Sequence, residues 1–343
     1  NEDLAEGFAC VIQVVSTGES LLKRRLETMD LEDELVEGAL TPRDYVLGYL
    51  EQAFPIHAQK LVEIDGNMVA EPLRDETGAL VVSREALALR DAAMMELMTL
   101  APIPSALDQI LWALGDEAVA EVTGRSVRPL KAEDGHLFIE KRAASSNSSE
   151  TQAFMDGEKD ILIFSDAGGT GRSYHAAQTA KNQKRRRHYL LEPGWRADAA
   201  IQGLGRTHRS AQVSAPFFRV CTSDVHGEKR FTSTIAKRLD QLGALTKGQR
   251  ETGSQGMFRE EDNLESPIAR AALRGYFADL AAGRAEAMSY ESFTDWTALR
   301  LIDKDGVLLE ELPPIQRFLN RVLALPIHMQ NALFAEFMRR IAD

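Results

Sequence analysis

Uninterrupted apolar runs alternate with segments of helical period through much of this chain. Phe8 to Val15 is such a run, the mark of a strand buried on both faces, and it ends in Ser16-Thr17-Gly18-Glu19. Ile103 to Gly115 predicts a capped helix. Ser105 stands three residues before Asp108, the apolar residues Leu107, Ile110, Leu111 and Leu114 share a face, and Gly115 closes it. Ala118 to Val122 predicts a short strand that runs into Thr123-Gly124-Arg125, and Ser148 to Met155 reads as a helix. Asp160 to Ser165 is the clearest strand, and it enters the glycine-rich turn Asp166-Ala167-Gly168-Gly169-Thr170-Gly171-Arg172. His188 to Glu192 and Phe217 to Thr222 predict two more strands, and His226 to Leu242 a helix closed by Gly243.

Strands that alternate with helices build βαβ units, so the expected class is α/β with a mostly parallel sheet. Ligands of such sheets gather at the carboxyl ends of the strands. Four polar turns follow strands here: Ser16–Glu19, Thr123–Arg125, Asp166–Arg172 and Glu192–Trp195. Met29 to Pro102 interrupts the alternation with a helix opened by Thr41-Pro42, a hairpin around Asp65-Gly66-Asn67 and a helix from Ser83 to Leu100. After Gln249 the pattern turns helical, with breaks at Gly283, Gly306 and Pro326. The expected layout is a lobe from 1–28 and 103–249, a mostly helical insertion over 29–102, and a helical carboxyl-terminal extension over 250–343.

A net charge of −12 over 343 residues argues against nonspecific nucleic-acid binding by the whole surface. It leaves room for a local basic track: Lys181, Lys184, Arg185, Arg186, Arg187, Arg196, Arg206 and Arg209 face only Glu192 and Asp198 over that span. Such a run is ordinarily a solvated loop. No apolar stretch has the length of a membrane span, and no signal-peptide pattern opens the chain. The first residue is Asn1 rather than Met, which reads as a processed or excised piece. Cys10 and Cys221 lie in apolar strand-like runs, pointing to reduced thiols and a cytoplasmic setting, or a nuclear one in a eukaryote.

Gln202 to Arg209 has the form Q-x-x-G-R-x-x-R. In a helix, Gln202, Gly205, Arg206 and Arg209 would share one face. Two guanidiniums aimed the same way suit a phosphate, because each is permanently charged and donates in a planar fork. The same spacing also describes a solvated basic face. Glycine between Gln202 and Arg206 favours the first reading, since it weakens a helix unless another backbone or a ligand comes close. The Asp166–Arg172 turn is not a P-loop, which needs glycine and lysine where Asp166 and Arg172 stand. Its backbone amides and the Thr170 hydroxyl can still meet an anion. Asp116-Glu117 precedes a strand instead of following one, and Asp303–Gly306 would put Leu301 and Leu312 at calcium-ligand positions, so neither reads as a metal site. The seven histidines show no ligand spacing. His175 and His208 read as polar neighbours of the site, and neither Ser165 nor Ser210 has a histidine–acid pair to activate it.

In their order these features resemble the second RecA-like lobe of superfamily 2 helicases, with the glycine-rich turn as motif V and Gln202–Arg209 as motif VI. Cys10–Ser20, Glu121–Arg128, Phe164–His175, Ala199–Pro216, Gly227–Thr246 and Phe318–Phe334 narrow the resemblance to the carboxyl-terminal helicase domain of the strawberry notch family. The match is poorest over 29–102. The resemblance implies a RecA-like fold and an ATP clamped, with Mg2+, between two lobes. It makes Arg209 the arginine finger, Arg206 a second phosphate ligand and Gln202 the link between nucleotide and lobe closure. Gly169 and Gly171 would lie beside the nucleotide, and Thr170, Ser16, Thr17 and Arg125 would follow the backbone of DNA or RNA. The first lobe, with the P-loop and the acidic magnesium motif, is not in these residues. The chain alone is therefore expected to be inactive until that lobe, from the same polypeptide or a partner, is present. Two other readings compete: a noncatalytic protein-interaction module derived from such a lobe, and a self-contained hydrolase or transferase built on the glycine-rich turn.

Overall fold

A strand buried on both faces has to sit inside a sheet, and the first apolar run does. In the computed structural model, which describes residues 1–17, 42–64, 67–100, 104–132, 137–143, 145–194, 196–241, 258 and 262–342, a short α1 (Glu2–Ala5) leads into β1 (Ala9–Val14). Gly18-Glu19, Thr41, Asp65-Gly66, Ile103, Trp195 and Leu242-Gly243, on which parts of the sequence reading rest, lie outside the described residues. Next come α2 (Pro42–Ala53), β2 (Gln59–Ile64), β3 (Asn67–Pro72), α3 (Arg84–Thr99) and α4 (Ala106–Leu114). They are followed by β4 (Val119–Val122), β5 (Val127–Lys131), β6 (Leu137–Lys141) and α5 (Ser146–Asp156). The glycine-rich region supplies β7 (Ile161–Ser165) and the single turn α6 (Asp166–Gly169), then β8 (Arg186–Leu190), α7 (Ala197–Leu204) and β9 (Phe217–Val220). Helices α8 (Lys229–Gln241), α9 (Pro267–Ala281), α10 (Tyr290–Thr297), α11 (Ile315–Arg321) and α12 (Ile327–Ala342) complete the chain.

The chain divides into two compact units. One takes residues 1–15, 117–124 and 145–343, and the other 16–116 and 125–144. In this division α4 and the β5–β6 hairpin group with α2, β2, β3 and α3, and the carboxyl-terminal helices group with the sheet. In the second unit β2 and β3 form an antiparallel hairpin between α2 and α3, and Ser83 caps α3 through the Ala86 amide.

The first unit holds a five-stranded sheet in the order β4-β7-β1-β8-β9, with every pairing parallel. Strands β4 and β7 are buried along their whole length, whereas β8 buries alternate residues, Arg186, His188 and Leu190. Sequence reading placed that strand two residues later, because three consecutive arginines look like a loop. They are instead built into the sheet. The Arg186 guanidinium, fully buried, donates to the carbonyls of Tyr174, Lys184 and Asn182 and lies 4.9 Å from the Phe154 ring centre. Burial lowers its pKa to about 10. Arg185 and Arg187 sit over the Phe217 and Phe8 rings at 3.5 and 4.0 Å.

His188 is also fully buried, between the rings of Phe164 and Phe218, and its Nδ1 lies 2.8 Å from Thr207 Oγ1. Thr207 donates in turn to the Leu204 carbonyl, so the imidazole can give its proton to the hydroxyl oxygen. With no carboxylate beside it, burial drives the His188 pKa down to about 3.

The carboxyl-terminal helices enclose a core of their own. Phe318 is its centre, with ring centres of Phe337 at 5.5 Å, Phe277 at 5.6 Å and Tyr276 at 6.3 Å. Helix α10 stops at Ala298 in the left-handed region (φ 53°), and Asp303 then closes a tight turn through the amides of Asp305 and Val307.

Two outcomes follow from these cores. Phe318→Ala should lower stability by about 3–5 kcal/mol in urea unfolding, because it empties the middle of a fully buried aromatic cluster. The His188 pKa is lower in the folded than in the unfolded chain, so its contribution is intact above about pH 6.5 and is lost as pH falls toward about 3. Denaturation midpoints should fall with acidification through that window, by on the order of 1.4 kcal/mol per pH unit from this group, and His188→Phe should flatten the slope.

Candidate functional site

Motif VI begins on a helix and leaves it. Helix α7 ends at Leu204, so Gln202 is helical while Arg206 and Arg209 lie in the turn beyond it. The expected single helix face is therefore not what aligns these side chains. The helix stops where its glycines let it approach the sheet: a Cβ on Gly203 would lie 2.1–2.3 Å from the side-chain atoms of Gln13. Gln13, on β1, donates to the Ala200 carbonyl at 3.4 Å from beneath the helix. The close neighbour of Gly203 is thus a buried glutamine of the sheet, whereas a Cβ on Gly205, the motif glycine, would meet only the Gln202 carbonyl at 3.3 Å and the Ile201 carbonyl at 3.6 Å.

Beyond the helix the turn is held by its backbone. The Arg206 carbonyl accepts from the Tyr174 amide at 2.7 Å, the Ala211 carbonyl from Gln178 and the Ala176 carbonyl from Val213. The segment after motif V is in this way zipped to the segment after motif VI. Arg206, half-buried, donates through Nη1 to the Arg172 carbonyl at 3.2 Å, and its guanidinium carbon lies 5.8 Å from the Phe164 ring centre. Thr207, fully buried on His188, pins the middle of the turn. Arg209 behaves differently. Its amide donates to Gln212, but its side chain is exposed and makes no hydrogen bond or ion pair among the described residues. Gln202 is also exposed. His175 lies near enough that Arg209, after burial and Arg186, helps lower its pKa. His208 is half-buried.

The glycine-rich turn is shaped by the strand next to it. A Cβ on Gly168 would meet the Val122 carbonyl oxygen at 2.4 Å and the Thr123 backbone at 2.5 Å, and one on Gly124 would meet Ala167 Cβ at 2.8 Å. Thr170 is exposed and its hydroxyl donates to the Asp166 carbonyl at 2.9 Å, while Gly171 takes φ +74°. On the far side, Glu192 accepts from the Val15 amide at 2.7 Å, and Gly194 at φ +65° packs against the Val15 side chain. These turns share the carboxyl edge of the sheet, as the alternation of strands and helices implies.

The second unit contains Ser16, Thr17 and Arg125. Ser16 is exposed and Thr17 half-buried. Arg125 is buried, with Nη1 2.6 Å from the Asp108 carboxylate and both side chains almost fully enclosed. It holds α4 to the segment after β4, and a phosphate contact would require that pair to open. Asp108 was legible only as a capping residue, which it also is, through Ser105. Sequence reasoning missed Gln13, His188 and Thr207. The available signals were a lone polar residue inside an apolar run, Gln13 in β1, and alternating polar residues, Arg186 and His188, in β8, whereas Thr207 offered none. Among the described residues no group of three His, Cys, Asp or Glu side chains clusters as metal ligands, and no helix is long and apolar enough to cross a membrane.

Residues 105–343 match the family model described as the C-terminal domain on Strawberry notch homologue. Protein strawberry notch homolog 1 of Rattus norvegicus is 37% identical over 295 residues, covering 78% of this chain and 23% of the relative. Protein strawberry notch of Drosophila melanogaster is 40% identical over 267 residues, 68% of this chain and 16% of the relative. Protein FORGETTER 1 of Arabidopsis thaliana is 36% identical over 291 residues, 74% of this chain and 22% of the relative. No solved structure matches the chain. It spans less than a quarter of the length of each of these relatives. A family model over residues 105–343 and relatives this similar place the chain in the strawberry notch family, of which it carries the helicase-type carboxyl-terminal domain.

Proposed function

We propose that this chain is the second motor lobe of an ATP-dependent nucleic-acid helicase or translocase and completes an ATP site whose P-loop half lies on another lobe. The observation that carries the reading is the contrast within motif VI. Arg206 and Thr207 are held by the fold, while Arg209, two residues further on, presents an exposed guanidinium with no partner among the described residues. A rigid turn with one uncommitted cation is what an arginine finger needs, since it must meet charge that develops on a γ-phosphate supplied from outside. Arg206, permanently charged and held in the same turn, supports the same phosphates. Gln202, exposed on the last turn of α7, reports nucleotide to the lobe interface.

Gly169 and Gly171 bring the motif V backbone beside the nucleotide. Thr170 reaches a backbone phosphate once its hydroxyl exchanges the Asp166 carbonyl for it. Ser16 and Thr17 contact the nucleic-acid backbone after β1, and Arg125 shapes the neighbouring loop through Asp108. The Mg2+ ligands belong to the other lobe, so this chain contributes cations and backbone donors to the ATP. A second reading, a noncatalytic protein-interaction module, draws support from α3, which buries no residue and exposes Leu89, Met95 and Met98.

Arg209→Ala in the complete protein should reduce nucleic-acid-stimulated ATP turnover by on the order of a thousandfold, with nucleotide affinity nearly unchanged. Steady-state ATPase assays beside fluorescent-nucleotide titration check this, and normal turnover in the variant would sink the assignment.

A further inference from the structure

Five exposed arginines of the carboxyl-terminal region, Arg270, Arg274, Arg300, Arg317 and Arg321, have no ion pair among the described residues, and the first four gather at one feature. Arg284, Arg339 and Arg340 are each paired with Asp279, Glu286 or Glu336. Arg270 and Arg274, one turn apart on α9, are exposed, as are Arg300 and Arg317, and none of the four has an ion pair among the described residues. In a chain of net charge −12, where carboxylates are plentiful, four unpaired arginines around one feature are an electrostatic signal.

That feature is a pair of clefts. Arg270 and Arg274 line one of about 640 Å³, together with Leu273, Phe277, Leu308 and Leu312. Arg300 and Arg317 line a second of about 370 Å³, and the segment from Leu309 to Pro314 borders both. Leu309 donates to the Leu301 carbonyl, but the amides of Glu310, Glu311 and Leu312 make no backbone hydrogen bond among the described residues, and Pro313 and Pro314 keep the segment out of helix. The clefts therefore combine apolar side chains, cations and free main-chain donors.

We propose that this double cleft docks an extended acidic peptide segment of a partner protein, with leucine-like side chains in the larger cleft and carboxylates on the arginines. Arginine forks pair well with carboxylates, and free amides on an extended segment suit a peptide backbone. A continuous phosphodiester strand fits less well: it carries a charge at every residue and no aliphatic side chain for Leu273, Phe277, Leu308 and Leu312, whereas a peptide can set its carboxylates on the arginines and away from Glu310 and Glu311. The proposal is independent of the motor-lobe reading.

The test is fluorescence anisotropy of a labelled peptide of alternating Glu and Leu, titrated with the full chain. Saturable binding is expected, weakening with salt and falling by at least about tenfold in the Arg270→Glu/Arg274→Glu variant. Arg339→Glu, a single charge reversal at a paired site outside the clefts, should leave affinity nearly unaltered. The milder Arg270→Ala/Arg274→Ala variant, with circular dichroism melts of all proteins, separates lost binding from lost folding. Absence of saturable binding to the unaltered chain overturns the proposal, as does an equal loss in the Arg339 variant. Cleft variants that lose affinity for a labelled single-stranded oligonucleotide, while peptide binding persists, would assign the surface to nucleic acid.

Discussion

The close approach of α7 to the end of β1 is the contact on which the candidate site depends. It is possible because residue 203 has no side chain, and Gln13 fills the space that a Cβ would take. With the helix seated there, its carboxyl end delivers the motif VI turn to β7 and β8. Arg206 then reaches the Phe164 ring and the Arg172 carbonyl, and Thr207 reaches His188. A helix held further from the sheet would lose each of these contacts together. Gly168 obeys the same constraint at the end of β4, where the Val122 and Thr123 backbone leaves no room for a Cβ, so both glycines are explained by close packing inside the lobe.

The arginines divide by what surrounds them. Arg186 is stabilised inside the protein by carbonyl oxygens and a ring, an arrangement that satisfies its donors without a carboxylate. Arg125 is enclosed with Asp108, and Arg185 and Arg187 lie over aromatic rings. These are structural cations, expensive to leave unpaired once buried. Arg209 and the four arginines of the carboxyl-terminal clefts are exposed and unpaired, at little solvation cost, and so remain available to an external anion. Counting basic residues between Lys181 and Arg209 mixes the two kinds.

The alternation of apolar runs and helical segments reveals β1, β4, β7 and most helices within a few residues, because burial on both faces demands continuous apolar sequence, and it reveals β9, a partly exposed strand, from its short apolar run. It misplaces β8, whose inward positions are Arg186, His188 and Leu190, since two of the three are polar. It also passes over the β5–β6 hairpin, where Pro129 and the charges of Arg128, Lys131, Glu140 and Lys141 obscure the period. The elements of the site were legible as motifs, whereas the partners of its side chains were not.

What the sequence by itself determined is local and periodic: the strands buried on both faces, the caps, the turns that require glycine, and the order of motifs V and VI. Those depend on residues within a few positions of one another. Only the tertiary structure decided that motif VI leaves its helix, that Gln13 rather than a ligand crowds Gly203, and that Arg125 is closed in while Arg209 is open. Each of those outcomes is set by groups brought together across many residues of chain, 187 between Gln13 and Ala200, and no local pattern records such an encounter.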